Sequence, residues 1–229
     1  MELVLGASPT LSPYLNMIWY ARSETAGSFT SEAASNWELA ISNFEGKTRI
    51  AARGPETRAT QADYPADAEF FGISFKLGTF MPHLPVKALL DRQDALLPEA
   101  SRNSFWLNGS VWEIPTIDNV DVFVSRLIRQ GILVHDPAVE ATIQGCPPDM
   151  SIRTLQYRFL QATGLTHKTI QQIERARSAA SLLAQGTPIL DTVYTLGYFD
   201  QAHLTNSLKR FIGRTPTQIT QIAVANEIE

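Results

Sequence analysis

PILDTVYTLGYFDQAHLTNSLKRFIGRTP, residues 188–216, decides how the second half of this chain folds. Pro188 is tolerated at a helix start because no N–H is needed there, and the apolar residues after it recur at helical spacing. Gly197 ends this first helix in a left-handed turn, and Asp200 is a good N-cap for a second helix. Gly213 ends the second helix. Two short helices joined by a turn that contains Gly are the pattern of a helix-turn-helix unit.

The outer face of the second predicted helix would carry hydrogen-bond donors and cations, the side chains that reach base edges and phosphates. They are Gln201, His203, Asn206, Lys209 and Arg210. Tyr198 and Phe199, in the turn, are predicted to be core or turn anchors rather than stacking groups. Most helix-turn-helix shapes in proteins are plain helical hairpins, so the shape alone does not establish DNA binding.

A second candidate helix-turn-helix unit precedes a long helix, which is predicted at residues 170–185. The predicted inner stripe of the long helix is Ile170, Ile173, Ala176, Ala180 and Leu183. Ser151 is the expected N-cap of the outward helix of this unit, and Gly164 is the expected end. If the long helix is rigid, the two units reach successive major-groove faces about one helical turn apart. The inner stripe of the outward helix is predicted as Ile152, Leu155, Phe159 and Ala162, and its outer side as Arg153, Gln156, Tyr157 and Gln161.

The composition of the 229-residue chain is that of a globular protein, with 44% hydrophobic and 18% charged residues. Its one cysteine, Cys146, excludes an intramolecular disulfide. A run of about 18 apolar residues is missing, which excludes a spanning helix, and the N-terminus lacks the basic stretch of a signal peptide. We therefore expect a cytoplasmic protein with no membrane partner.

Charge is distributed unevenly along the chain, although the net charge is only −4. Residues 1–146 hold 11 Lys and Arg against 17 Asp and Glu, a balance of −6. Residues 147–229 hold 8 against 6, a balance of +2, with Glu227 and Glu229 at the extreme tail. The basic charge coincides with the candidate helix-turn-helix units, as in a nucleic-acid-binding region, although a solvated mixed surface would produce a similar excess.

Residues 1 to about 112 are predicted to be mainly β, and the period becomes helical from about residue 118. The clearest strand is EFFGISFKL, residues 69–77, and Asn108–Gly109 is the turn of a candidate hairpin. Short strands with Gly and Pro turns indicate a small barrel or sandwich, so the predicted class is α+β. The predicted parts are a β-rich regulatory, sensor or dimerisation domain at 1–115, a bridging helix and linker at 116–135, and an all-α DNA-binding domain at 136–229.

Patterns for catalysis and for metal binding are weak. A metal site in the β-rich half would need several His and carboxylate ligands, and that half offers one histidine, His83. Cys146 has only the distant His135 as a candidate base, so an incidental thiol is favoured over a nucleophile. The sequence also lacks a Gly-rich phosphate loop and a G-x-S-x-G elbow. We therefore predict no enzymatic activity, no cofactor and no metal.

The aromatic side chains of the β-rich half admit more than one interpretation. They suffice to line an apolar pocket for a ligand, and they equally suffice to fill a modest β core. Alternatively, this half is chiefly a dimerisation surface, formed through the helix predicted at 120–128. The aromatic residues are Trp19, Trp37, Phe70, Phe71, Phe75, Phe80, Trp106 and Trp112.

Three blocks of the second half together resemble the C-terminal DNA-binding domain of AraC/XylS-type transcription regulators. The blocks are RTLQYRFLQATG, IQQIERARSAASLL and GYFDQAHLTNSLKRFIGRTP, and the similarity covers roughly residues 136–220. The resemblance implies two helix-turn-helix units joined by a long helix, promoter DNA as the partner, and a cupin-like N-terminal domain that binds a small effector or mediates dimerisation. The family's signature positions are Gly197, Tyr198, Asp200, Gln201, Leu204, Leu208, Lys209, Gly213, Thr215 and Pro216.

The resemblance also implies which side chains contact DNA. Base-reading positions fall on Arg153, Gln156 and Tyr157 in the first unit, and on Gln201, Ala202, His203 and Asn206 in the second. Lys209 and Arg210 would lie near phosphates, and Lys168 would add a phosphate contact near the start of the long helix. Many family members have Arg at the positions of Tyr157 and Asn206. We therefore expect Tyr157 to stack or to touch a thymine methyl, and Asn206 to read adenine.

The sequence as a whole predicts a sequence-specific, DNA-binding transcriptional regulator that is not an enzyme. Its predicted partners are double-stranded promoter DNA, a small effector bound by the N-terminal domain, a second copy of the chain and, for an activator, RNA polymerase. The alternative is a β-domain ligand-binding protein or enzyme whose helical tail binds a protein partner.

Overall fold

The computed structural model describes residues 4–9, 12–92 and 94–226, so Glu227 and Glu229 lie outside the described residues. None of the helices in these ranges is both long and apolar enough to cross a membrane. In chain order the elements are β1 (Val4–Pro9), β2 (Leu15–Ser23), β3 (Gly27–Ser31), β4 (Glu38–Phe44), β5 (Lys47–Arg53), β6 (Thr60–Tyr64), β7 (Ala68–Phe75), β8 (Thr79–Phe80), α1 (Val86–Leu89), β9 (Ala95–Leu96), β10 (Glu99–Ser101), β11 (Ser104–Leu107), β12 (Ser110–Glu113), α2 (Val120–Arg129), β13 (Val134–His135), α3 (Pro137–Ile143), α4 (Ile152–Thr163), α5 (His167–Ala184), α6 (Ile189–Thr195), α7 (Gln201–Phe211) and α8 (Pro216–Asn226).

The chain forms two compact units that do not follow a single cut in the sequence. The first unit comprises residues 1–28, 36–55 and 63–166, and the second comprises 29–35, 56–62 and 167–229. Two short segments of the β-rich half therefore belong to the helical unit. These units are defined by contacts, whereas the predicted boundaries at 115 and 135 separate domains that would fold independently. The boundaries stay a prediction.

The main sheet of the first unit is antiparallel, with the strand order β1-β2-β7-β4-β5-β9. Strands β4 and β5 form a hairpin through Glu45 and Gly46, whose φ angles of 52° and 69° are those of a type I′ turn. Strands β11 and β12 are joined in the same way by Asn108 (φ 49°) and Gly109 (φ 75°). The hairpin predicted around Asn108–Gly109 is thus confirmed.

Side chains of the sheet and of helix α2 together fill the core of the first unit. Trp37 stacks on Phe75 with ring centroids 4.2 Å apart, and its Nε1–H donates to the carbonyl of Thr79 at 2.6 Å. Phe123 of α2 meets Trp112 edge-on, with centroids 5.9 Å apart. The helix that the sequence suggested as a bridge therefore packs into this core.

Helix α5 is the central helix of the second unit and packs against α6, α7 and α8. The sequence placed Ala180 on its inner stripe, whereas the structure buries Ala179 and leaves Ala180 half-buried. Both Ala179 and Ala180 fit the three- and four-residue spacing between Ala176 and Leu183, so periodicity alone does not tell which of them is buried. The full buried set is Ile170, Ile173, Ala176, Ala179 and Leu183.

The predicted α+β class is confirmed, because strands dominate the first half and helices form the second. The local signals for this order were strong, since caps, glycines and helical periodicity all point to the same elements. The cupin-like character of the β-rich half stays a prediction.

Candidate nucleic-acid interface

Helix α7 begins and ends where the sequence predicts. The Oδ1 atom of Asp200 accepts the N–H of His203 at 2.7 Å, which caps the helix N-terminus. Gly213 follows the helix with φ 79°, a conformation that costs a glycine little. The buried face of α7 consists of Leu204, Leu208 and Phe211.

All six α7 residues that were predicted to contact DNA are exposed. They are Gln201, Ala202, His203, Asn206, Lys209 and Arg210. The amide side chains lie in the first two turns and the two cations lie in the last turn. In helix-turn-helix proteins the N-terminal residues of the recognition helix contact base edges, while cations bind phosphates. The polar face of α7 has this order.

His203 is partly committed to contacts within the turn. Its Nδ1 accepts the backbone N–H of Phe199 at 3.3 Å, and its ring meets Tyr198 edge-on with centroids 5.1 Å apart. Because Nδ1 is the acceptor, the neutral ring carries its proton on Nε2, which is then the donor that faces away from this bond. The sequence pattern marked His203 as a reader of bases but did not reveal that it also orders the turn.

The two aromatic residues of the turn have different environments. Tyr198 is buried, with its hydroxyl 3.2 Å from Ser207 Oγ and the Arg175 guanidinium 4.4 Å from the centre of its ring. Tyr198 is therefore an anchor, as predicted. Phe199 was predicted to be a core or turn anchor; its ring is 90% exposed, so the core alternative is wrong. Its backbone is fixed by the hydrogen bond to His203 while its ring points into solvent.

Helix α4 also has the predicted caps. Ser151 Oγ accepts the N–H of Thr154 at 3.1 Å, and Gly164 ends the helix in the left-handed conformation with φ 71°. Ile152 was predicted to face inward but is 75% exposed. The fully buried residues of the helix, Phe159, Ala162 and Thr163, lie near its C-terminus, and the first turn leaves Ile152 exposed. The predicted DNA-contacting residues Arg153, Gln156 and Tyr157 are all exposed.

Arg158 fixes α4 to the start of α3. Its guanidinium binds the carboxylate of Asp136 with two hydrogen bonds, of 2.6 and 2.8 Å. Burial raises the pKa of Asp136, but the bond from Arg158, the N–H of Ala138, and the charges of Arg158 and His135 lower it more, so the net pKa lies below its usual value. The sequence gives no sign of this ion pair, because the two residues are 22 positions apart in the chain.

The predicted DNA-contacting residues fall into two groups. Lys168, which is exposed near the start of α5, belongs to the second unit together with the α7 residues. Arg153, Gln156 and Tyr157 belong to the first unit. Each unit therefore carries its own group of predicted DNA-contacting residues. That the two groups bind the same DNA together stays a prediction.

The aromatic residues considered for an effector pocket include several that fill the core. Trp37, Phe75 and Trp112 are each at most 3% exposed, and their rings pack against other side chains. Among the described residues, no group of three or more His, Cys, Asp or Glu is placed to hold a metal ion. Cys146 is exposed, and His83 has a pKa lowered by burial.

Comparison with known proteins agrees with the geometry of this region. Residues 149–222 match the family model of a helix-turn-helix domain. The HTH-type transcriptional regulator RipA of Corynebacterium glutamicum is 35% identical over an alignment 102 residues long, which covers 42% of this chain and 29% of that protein. This chain therefore covers less than a third of the length of that relative. No solved structure matches the chain. The resemblance to AraC/XylS-type regulators is confirmed for this C-terminal region.

Proposed function

We propose that this chain, whose C-terminal region is an AraC-type helix-turn-helix domain, is a sequence-specific DNA-binding transcriptional regulator. The observation that carries the proposal is helix α7, which combines a buried apolar face, a capped N-terminus and an exposed polar face. The match of residues 149–222 to the helix-turn-helix family model supports the same conclusion. Double-stranded promoter DNA is then the partner.

In this proposal α7 lies in the major groove with its first two turns at the base edges. Asn206 presents an amide that can bind adenine N6 and N7, and Gln201 offers the same chemistry five residues earlier. Lys209 and Arg210 bind phosphates. The Arg210 guanidinium already lies 4.9 Å from the centre of the Phe211 ring, which restricts its orientation.

Helix α4 supplies the second contact in this proposal. Arg153 has the fork that binds guanine bidentately, Gln156 has the amide that binds adenine, and Tyr157 has an exposed ring for a thymine methyl. Arg158 is excluded from this set because Asp136 already holds its guanidinium. Lys168 adds a phosphate contact.

Phe199 extends the set of DNA-contacting residues. A phenylalanine ring that is 90% exposed gains nothing for folding, and it directly precedes the N-cap of the recognition helix. We assign it an apolar contact with a thymine methyl beside the bases read by Gln201. Phe199→Ala should leave the free energy of unfolding within about 0.5 kcal/mol of the original. It should weaken binding to the cognate duplex several-fold, as measured by fluorescence anisotropy.

The regulatory half of the proposal rests on domain order. A small effector or a second copy of the chain would bind the β-rich region at 1–115, and the DNA-binding region at 136–229 would respond. RNA polymerase is the further partner if the protein is an activator, and the cytoplasm is the expected location.

The test is binding of the full chain to a duplex selected from a random DNA pool, measured by anisotropy at several salt concentrations. We expect a linear fall of log K with log salt, and Lys209→Ala should reduce that slope by about one and weaken all sequences alike. Arg177→Ala, an exposed cation on α5, is the matched control and should leave the slope unchanged. Equal affinity for selected and scrambled duplexes would overturn the proposal.

A further inference from the structure

Two segments from the β-rich half, residues 29–35 and 56–62, are part of the helical unit; together we call them the clasp. They lie far from α7 in sequence, yet they contact the end of that helix through their backbones. Ala33 N–H donates to the carbonyl of Phe211 at 2.7 Å, and Ala59 N–H donates to the carbonyl of Arg210 at 2.7 Å.

These two bonds satisfy carbonyls that the helix itself leaves without partners. The last four carbonyl groups of an α-helix find no N–H donor within the helix itself. In α7 the carbonyl of Leu208 accepts from Ile212 and Gly213, at 2.8 and 3.0 Å. Those of Arg210 and Phe211 are satisfied by the clasp. The clasp therefore supplements the local C-terminal cap at Ile212 and Gly213.

The clasp also fits closely against the residue that ends the helix. A Cβ atom added to Gly213 would lie 2.7 Å from Thr30 Cγ2 and 3.0 Å from Ala59 Cβ. Both distances are shorter than ordinary carbon contacts of about 3.5–4.0 Å. Gly213 is thus needed for its φ of 79° and also for the approach of the clasp.

The two clasp segments are bound to each other, and the first of them is also bound to the central helix α5. Ala34 and Glu56 exchange two backbone hydrogen bonds, of 3.0 and 2.9 Å, and Ser31 Oγ donates to Glu56 Oε2 at 2.8 Å. Ser35, which is 1% exposed, donates through Oγ to Glu174 of α5 at 3.3 Å. The clasp is therefore anchored at both of its segments.

We propose that the clasp positions the recognition helix, so that the DNA-reading unit is built from both halves of the chain. Ala33, Ala59 and Ser35 are positioning residues, since they act through α7 and α5 and do not touch DNA. The cations Lys209 and Arg210 lie in the turn that the clasp holds, so the clasp sets where that turn meets phosphates. The effect of the clasp on DNA binding rests on the proposed function, whereas its effect on the position of α7 does not.

The first test uses the full chain without DNA and follows amide hydrogen exchange by NMR or mass spectrometry. The amides of Ala33 and Ala59 should be protected. Ala59→Pro removes one donor, and it should raise exchange in the last turn of α7 about tenfold, the loss expected for one net hydrogen bond. Ala59→Ser keeps the N–H and should restore protection. Unprotected Ala33 and Ala59 amides, or an unchanged α7 in Ala59→Pro, would overturn the inference.

The same test remains decisive if Ala59→Pro does not fold, as judged by circular dichroism. Protection of the two clasp amides is measured on the unsubstituted chain. Ser35→Ala removes only the bond to Glu174 and should speed exchange at Ala33 several-fold. Exchange at Ala33 that is identical in both proteins would contradict an anchored clasp.

The second test separates this inference from the proposed function. The full chain and Ala59→Pro are each titrated with the selected duplex and with a duplex in which the bases read by α7 are scrambled. We expect the substitution to reduce the preference between the duplexes, because phosphate contacts at the last turn fix the register in which α7 meets the bases. If the unsubstituted chain has no preference, the proposed function fails, and the exchange data still decide on the clasp. If both proteins show the same preference, the clasp does not position α7 for DNA.

Discussion

Helices α4 and α7 carry the same kind of outer face but are held in different ways. Helix α7 buries apolar side chains along its whole length, at Leu204, Leu208 and Phe211. Helix α4 buries side chains only towards its C-terminus and exposes Ile152 in its first turn. An ion pair, Arg158–Asp136, supplements that smaller contact. A polar outer face thus does not reveal how firmly a recognition helix is held.

The largest expected difference between the two helices is in core substitutions. Leu208 is fully buried in α7, so Leu208→Ala should lower the free energy of unfolding by about 2–5 kcal/mol. Leu155→Ala on α4 removes a half-buried side chain and should cost less than half as much. Urea denaturation followed by circular dichroism measures both. Equal losses would show that α4 is held as firmly as α7.

The N-caps should differ by a smaller amount. Asp200→Ala and Ser151→Ala each remove a side-chain acceptor at a helix start and should cost about 1 kcal/mol. The Asp200 carboxylate also interacts with the helix dipole, so its loss should cost a few tenths of a kcal/mol more at low salt. Asp200→Asn keeps the acceptor and is the control. If the loss of stability in Asp200→Ala does not depend on salt, the helix dipole does not contribute to the difference between the two caps.

The ion pair of α4 should produce a pH dependence. The folded pKa of Asp136 is below its usual value, so ionised Asp136 stabilises the fold. This contribution is complete above the ordinary carboxyl pKa of about 4 and is lost as the pH falls through the lower folded value. Asp136→Asn keeps a capping acceptor for α3 but removes the charge.

Urea denaturation of the original chain and Asp136→Asn at several pH values measures this contribution. The stability difference between them should shrink below about pH 4. The effect should be small, because Arg158 is partly exposed and solvent screens the pair. A difference that stays constant between pH 6 and pH 3 would show that the charge of Asp136 does not stabilise α4.

Local signals predicted much of the helical half. Ser151, Asp200, Gly164 and Gly213 all act where their chemistry places them, because caps and left-handed turns depend on a few neighbouring residues. The exposure of all ten predicted DNA-contacting residues follows from helical periodicity.

Features that depend on distant parts of the chain could not be predicted. Ala33 and Ala59 bind α7 through backbone N–H groups, and an alanine gives no sign of such a role. In the sequence Arg158 does not differ from the other polar residues of α4, and only the tertiary structure shows its bond to Asp136. The core alternative for Phe199 is wrong because an aromatic residue in a turn usually packs inward, and only the tertiary structure shows that this ring does not.

The measurement that tests the central claim most directly is a change of DNA specificity at α7. Binding sites are selected from a random duplex pool with the full chain and with Asn206→Arg, and the two base preferences are compared position by position. If α7 reads bases, one position should change from adenine to guanine, since Arg binds guanine as Asn binds adenine. Selected sites that are identical for the two proteins would contradict the account.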